Sequence, residues 1–244
     1  MSGTVLWTPS EARANASTMA QFERFVAETR GLSFEDYNAM WRWSVDDLDG
    51  FWTAIWDFFD VRAGVKPEQM LVKRQMPGME WGKAARLNYT DNILKHAEGR
   101  EDRQALIVQS ETFGRSEMSW GQLRAQVASV AGQLRGMGVT QGDRVVAILP
   151  NTETALIAFL ATASLGAVWS LCAPDMGHVA ILDRFKQIAP KVLIAQDGYV
   201  HAGKMIDRRA VLSEINAGLP SVAQFVTLPV VGDLPEGHVG WDDL

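Results

Sequence analysis

The stretch from Gly142 to Gly198 constrains this chain more than any other, because its apolar pattern alternates between strand-like and helix-like periods. Val145 to Leu149 is a short apolar run, β-branched at its start and bounded by Asp143 and Pro150, so it predicts a buried strand. Asn151 is placed to cap a helix, with Glu153 favouring the positive end of its dipole. That helix runs through Ala155, Phe159 and Ala163 and stops near Gly166. Ala167 to Cys172 predicts a second strand. Pro174 and Asp175 predict a turn in which Asp175 caps a helix from Gly177 to Ile188, closed by Pro190. Lys191 to Ala195 is a third strand before Asp197 and Gly198. Strands and helices alternating at this spacing imply right-handed crossovers and a mostly parallel sheet with flanking helices, an α/β fold.

A chain of 244 residues can bury a sizeable core. Its net charge of −6 gives no electrostatic attraction to nucleic acid or to an anionic membrane surface. The longest apolar run is interrupted by Thr162, Ser164 and Gly166 and fits helix–strand alternation better than a membrane span. The start lacks the basic and apolar segments of a secretory signal. Cys172 is the single cysteine and cannot form an internal disulfide, so a reducing, cytoplasmic setting is expected.

Ahead of the central stretch, residues 1–14 read as a surface arm. A helix is expected from Ser17 to Thr29 with Gly31 as its stop, a second opened by Ser33, and a third opened by Ser44. The tryptophans Trp41, Trp43, Trp52 and Trp56 fall at helical spacing, which favours packing anchors over an aromatic ligand platform. Residues 61–88 read as an irregular connecting wrap, and Asn88 begins a short helix closed by Gly99. A hairpin pairs Ala105–Gln109 with Arg115–Ser119, and Ser119 with Gln122 forms a capping box for a helix that ends at Gly136 and Gly138. Beyond Gly198, Tyr199 to Lys204 reads as a polar loop, Asp207 to Ile215 as a helix and Val222 to Leu228 as a strand. Gly232 to Leu244 reads as loop without a closing element, so the chain is expected to continue further.

The GDRV strand, the helix ending in LGAV and the LDRF helix recur in that order in the acyl-CoA synthetases of the adenylate-forming superfamily, which this chain resembles over roughly residues 30–217. Within that superfamily WSLCAPDMG, LDRFKQIAPKVLIAQDGY and the following GK are most similar to the acetoacetyl-CoA synthetases. Acetyl-CoA synthetases carry a glycine- and phenylalanine-rich turn where this chain has Ala173, Pro174, Asp175 and Met176. YNAMWRWSVDDLDGFW resembles the N-terminal cap segment of both groups. The resemblance implies a helical cap and wrap over residues 1–98, then the first α/β subdomain of the AMP-binding domain over residues 99–244, truncated at its C-terminal end. It implies a complete enzyme that joins acetoacetate, a ketone body of lipid metabolism, to coenzyme A through an acyl-adenylate. ATP, Mg2+ and CoA are the implied cofactors, with the remainder of the same polypeptide as partner.

The phosphate loop of that superfamily, TSGTTGxPK in form, does not occur in these residues, nor does a G-x-x-x-x-G-K-[ST] loop. The ribose-gripping aspartate and the late lysine that the resemblance calls for also have no counterpart here, so no catalytic residue is expected, and no tight cofactor binding by this chain alone. His96, His178, His201 and His238 are too scattered in sequence for metal-ligand spacing, and Cys172 reads as a buried structural thiol. The resemblance does imply one candidate CoA site. Asp197 to Lys204 reads DGYVHAGK, keeping Gly203 and Lys204 but placing His201 where the acetyl-CoA synthetases have arginine and Ala202 where they have glycine. A neutral histidine supplies one donor in place of a bidentate cationic fork, which weakens phosphate contact. Asp175 is a further candidate, on the turn past which coenzyme A runs. The alternatives are a synthetase for acetate or propionate, a free-standing binding module that does no catalysis, and a flavodoxin-like nucleotide binder, which the absence of a phosphate turn after Leu149 disfavours.

Overall fold

Four helix starts in the first part of the chain are each set by a side chain that accepts a backbone N–H. A computed structural model describes residues 4–244; of the expected arm, residues 1–3 lie outside the described residues. The chain divides into two units, residues 1–87 and 88–244. In the first unit, part of the expected arm is helical: α1 (Glu11–Asn15) is capped by Ser10. Ser17 caps α2 (Thr18–Arg30), which ends at Gly31 in the left-handed conformation, φ 68°.

The next two helices correct the expected starts. Asp36, not Ser33, caps α3 (Tyr37–Asp46) by accepting the Ala39 N–H at 2.8 Å. Asp47 caps α4 (Leu48–Phe58) through the Gly50 N–H at 3.0 Å, while Ser44 lies inside α3 and donates to the Trp41 carbonyl. An ionised carboxylate is both a good cap acceptor and a favourable charge at the helix N-terminus, so each aspartate wins over the serine three residues before it. Phe22, Val26, Met40 and Ala54 form the buried centre of the unit, with Trp43, Phe51 and Phe58 packed on it. Trp41 and Trp52 remain exposed. Within the segment expected to be irregular, β1 (Leu71–Lys73) pairs antiparallel with β2 (Glu80–Trp81), and the Leu71 N–H bonds to the Asp49 carboxylate at 2.7 Å.

The second unit opens with α5 (Tyr89–Leu94), capped by Asn88, whose amide also donates to the Ala163 carbonyl. An antiparallel hairpin of β3 (Gln104–Ser110) and β4 (Gly114–Ser119) follows. Then come α6 (Trp120–Gly136), started by the expected Ser119–Gln122 capping box, β5 (Arg144–Ile148), α7 (Glu153–Ser164), β6 (Val168–Cys172), α8 (His178–Lys186) and β7 (Val192–Gln196). The chain continues through β8 (Gly198–His201), β9 (Lys204–Asp207), α9 (Arg209–Ala217), β10 (Gln224–Leu228) and β11 (Val239–Gly240). Among the described residues the main sheet has the order β11-β10-β7-β5-β6, with every pairing parallel.

Both faces of that sheet are covered, as a parallel sheet requires. Val145, Ala147, Val192, Ile194 and Val226 pack in one core with α6 and α7 residues. Val146, Ile148, Leu193, Ala195 and Phe225 pack on the opposite face with Ile181, Phe185, Leu212 and Ile215 of α8 and α9. The alternation follows from the two-residue period of a strand.

Four local expectations are corrected in this unit. Thr152, rather than Asn151, is the N-cap of α7, because the chain first bends at Pro150, with the Thr152 N–H on the Pro150 carbonyl. Asp175 does not cap α8: Ala173 to Met176 close a turn of their own, and the helix starts one residue after it from Gly177, with no side-chain cap. Tyr199 to Lys204 is no loop but part of the β8–β9 hairpin. Finally, Gly232 to Leu244 contains β11 and a short turn of 3₁₀ helix at Trp241–Asp243, and Leu244 is buried in the α6/α7 core.

Candidate functional site

In open α/β sheets, ligands collect at the carboxyl ends of the strands where the strand order reverses. Here the chain leaves β5 for β6 on one side and returns to β7 on the other, so the reversal lies between β5 and β7. Asp197 stands immediately beyond β7 and is 2% exposed. Its carboxylate accepts the backbone N–H groups of Val230 at 2.6 Å, Val231 at 3.0 Å and Gly232 at 3.2 Å. The Asp197 carbonyl receives the Arg208 N–H at 2.8 Å, and the Arg208 guanidinium donates to the Met176 carbonyl, also at 2.8 Å. Asp197 and Arg208 together fix the turn after β6, the end of β7 and the loop after β10 as one frame. Gly198 belongs to that frame through shape, since a Cβ there would lie on the Val231 side chain and 2.8 Å from the Ile206 carbonyl oxygen.

From this frame the β8–β9 hairpin projects with His201, Ala202, Gly203 and Lys204 at its tip, all exposed. Ala202 at φ 49° and Gly203 at φ 73° are both left-handed, the pattern of a two-residue type I′ turn. The turn matches the twist of the strands, and glycine takes it without the strain that Ala202 carries. The Lys204 ammonium has no ion-pair partner among the described residues.

The tip is not free-standing. The Gly203 N–H donates to the Glu111 carboxylate at 3.2 Å, and the Val200 N–H to the Thr112 hydroxyl at 3.1 Å. Two hairpins distant in sequence are therefore joined by side chains of the β3–β4 turn. Sequence reasoning missed Glu111 and Thr112, which lie in an ordinary polar turn with no motif around them. Of the sequence candidates, the structure brings His201, Ala202, Gly203 and Lys204 together. Asp175 is exposed on the Ala173–Met176 turn, and no hydrogen bond or ion pair among the described residues joins it to the tip.

Two further groups complete the description. Cys172 ends β6 in the α8/α9 core; burial raises its thiol pKa, against the smaller opposing effect of the Arg184 guanidinium. On the α9 side of Asp197 lies a cavity of about 270 Å³ lined by Arg209, Ser213, Asn216, Thr227 and His238 among others. His238 stacks on Phe225 with ring centroids 4.2 Å apart, bonds to the Thr227 hydroxyl at 2.8 Å, and has its pKa lowered by burial. Among the described residues no three His, Cys, Asp or Glu side chains are grouped so as to hold a metal ion, and no helix is long and apolar enough to cross a membrane.

Chemically, the hairpin tip suits one end of an anion. A lysine without an ion-pair partner among the described residues stands next to a turn whose Gly203 N–H is held by the Glu111 carboxylate, and both kinds of donor bind phosphate oxygens in known phosphate sites. Within residues 201–204 Lys204 is the sole lysine or arginine, so the tip offers one permanent cation.

Residues 93–237 match the family model described as AMP-binding enzyme, and residues 37–93 the model described as acetyl-coenzyme A synthetase N-terminus. An acetoacetyl-coenzyme A synthetase of Rhizobium meliloti (strain 1021) is 40% identical over 235 residues, covering 93% of this chain and 34% of the relative. An acetoacetyl-CoA synthetase of Danio rerio is 38% identical, covering 95% of this chain and 34% of its own length. The solved structure of acetoacetyl-CoA synthetase from Streptomyces lividans superposes with a TM-score of 0.94 at 41% identity, over 98% of this chain and 38% of that one. The chain thus spans about a third of the length of the curated relatives it matches.

Proposed function

Because this chain belongs to the AMP-binding enzyme family, we propose that it is part of a cytoplasmic, ATP-dependent acetoacetyl-CoA synthetase. The complete ligase would convert acetoacetate, a ketone body feeding lipid metabolism, first to acetoacetyl-AMP with release of pyrophosphate and then to acetoacetyl-CoA. ATP and Mg2+ would supply the activating phosphoryl chemistry from a part of the polypeptide outside these residues. The observation that carries this reading is identity of 38–41% to acetoacetyl-CoA synthetases over at least 93% of this chain. A malonamoyl-CoA synthetase of Penicillium aethiopicum is only 28% identical over a similar span.

In this reading residues 1–98 form the cap and wrap, and residues 99–244 the first α/β subdomain of the AMP-binding domain. The β8–β9 tip forms one side of the coenzyme A entrance. Lys204 pairs with a phosphate of coenzyme A, Gly203 donates its N–H, and His201 and Ala202 flank them. Asp175 borders the path from the neighbouring turn. The chain by itself forms no adenylate, because the superfamily's phosphate loop does not occur in its sequence.

The test is release of AMP with acetoacetate, acetate and propionate, each with ATP, Mg2+ and CoA. It is run on the protein isolated from its natural source and on the 244-residue chain alone. The expected result is turnover by the natural protein with a preference for acetoacetate, and none by the chain alone. Equal or faster turnover of acetate would overturn the substrate, and AMP release by the chain alone would overturn its dependence on further residues.

A further inference from the structure

The contact between Glu111 and Gly203 bears on how the hairpin tip meets an anion. Glu111 is exposed and lies 92 residues away in sequence, yet its carboxylate takes the Gly203 N–H at 3.2 Å. That N–H belongs to a turn held by the left-handed pair Ala202 and Gly203. Lys204 is adjacent and has no ion-pair partner among the described residues, so Glu111 takes the backbone donor without neutralising the cation.

We propose that Glu111 is a positioning and specificity-determining residue of the hairpin tip: its carboxylate occupies the Gly203 donor that a ligand phosphate needs, and must give it up when that phosphate binds. The proposal rests on the reading that Lys204 and Gly203 receive a phosphate of coenzyme A. Two consequences follow from the geometry. A carboxylate held at the tip repels any second anion there, so weakly charged ligands are disfavoured less than phosphates lacking other anchoring contacts. The Thr112 hydroxyl on the Val200 N–H keeps the hairpins joined when Glu111 moves, so release is local to the tip.

Glu111→Gln isolates the charge. The glutamine keeps an oxygen able to accept the Gly203 N–H but carries no charge, and the position is exposed enough to tolerate it. Removing a like charge beside a phosphate in high dielectric is expected to tighten binding about fivefold at low salt, and the gain should fade at about 1 M salt. The experiment is calorimetric titration of the complete natural protein, parent and variants alike, with adenosine 3′,5′-bisphosphate and with CoA at two salt concentrations. It compares the parent, Glu111→Gln and Lys204→Ala, with the Gly203 amide resonance followed as a local reporter.

The expected result is weaker binding by Lys204→Ala, tighter binding by Glu111→Gln only at low salt, and a Gly203 amide shift on titration. If Lys204→Ala weakens binding but Glu111→Gln binds equally or less well, the role of Glu111 is overturned while the phosphate site stands. If Lys204→Ala binds as the parent does, the tip is not the phosphate site and both readings fall. Absence of binding by every variant, Glu111→Gln included, also overturns both.

Discussion

The carboxylate of Asp197 receives the backbone N–H of Val230 at 2.6 Å, across 33 residues of chain and the gap between the ends of β7 and β10. With Val231 and Gly232 on the same carboxylate, three half-buried donors depend on one buried acceptor. Asp197→Asn leaves one good acceptor and turns an NH2 group toward a backbone N–H. It is expected to cost roughly 2–4 kcal/mol, the usual penalty for orphaning donors at a buried charge. The urea midpoint of the second unit, followed by circular dichroism, measures it.

A second prediction concerns acid. Asp143 has its pKa held below the ordinary 3.8, chiefly by the Thr140 N–H, then by the Lys191 ammonium at 3.1 Å and the Thr140 hydroxyl. A carboxyl whose folded pKa is depressed stabilises the fold fully above its unfolded pKa, and that contribution disappears as pH falls from there through the folded value. Stability should therefore decline below about pH 4. Asp143→Asn should flatten part of that decline; the remainder includes Asp207, whose pKa the Arg209 guanidinium also lowers. Unfolding midpoints between pH 2.5 and 6 decide it, and an unchanged acid slope in Asp143→Asn would sink the assignment.

Gly198 joins β7 to the hairpin where backbone and side chain leave no room for a methyl group. Gly198→Ala should destabilise the second unit by about 1–3 kcal/mol, as overpacking does. Because one of the two obstructions is the Val231 side chain, adding Val231→Ala should recover part of the loss and leave the part due to the Ile206 carbonyl. Thermal denaturation of the single and double variants separates the two.

His201 stands at the exposed tip beside Lys204. His201→Arg adds a permanent planar cation and is expected to tighten CoA binding about three- to tenfold, with a steeper salt dependence. Calorimetry at two salt concentrations reads both effects.

How far the sequence announced all this varies with how local each signal is. The order β5–α7–β6–α8–β7 was legible because apolar runs such as Val145–Leu149 alternate with helical stripes, and Pro150, Gly166 and Pro190 punctuate them. The Ser119 capping box was legible for the same reason: all its parts lie within four residues. At α3 and α4 two acceptors competed within three residues, and the choice of Asp36 and Asp47 depended on how the chain enters each helix. The β8–β9 hairpin escaped notice because Ala-Gly is a weak type I′ signal beside Asn-Gly. For β11, two residues are too few to show a period; the strand exists through its pairing with β10. At the candidate site, Gly203 and Lys204 were singled out through a resemblance, whereas the Glu111–Gly203 contact had no sequence signal, since it forms only where two distant turns meet.

The strand order has a consequence for how the protein is made. β6 and β7 each pair with β5, β10 then pairs with β7, and β11 with β10. Every strand of the main sheet after β5 therefore finds a neighbour already synthesised when it emerges from the ribosome, and assembly can proceed outward from β5 as the chain lengthens. The Asp197 carboxylate then acts late: it can collect its three N–H donors only once Val230 to Gly232 have followed β10 into place, so it locks β5, β6, β7 and β10 after they have aligned, with β11 still to follow in the chain.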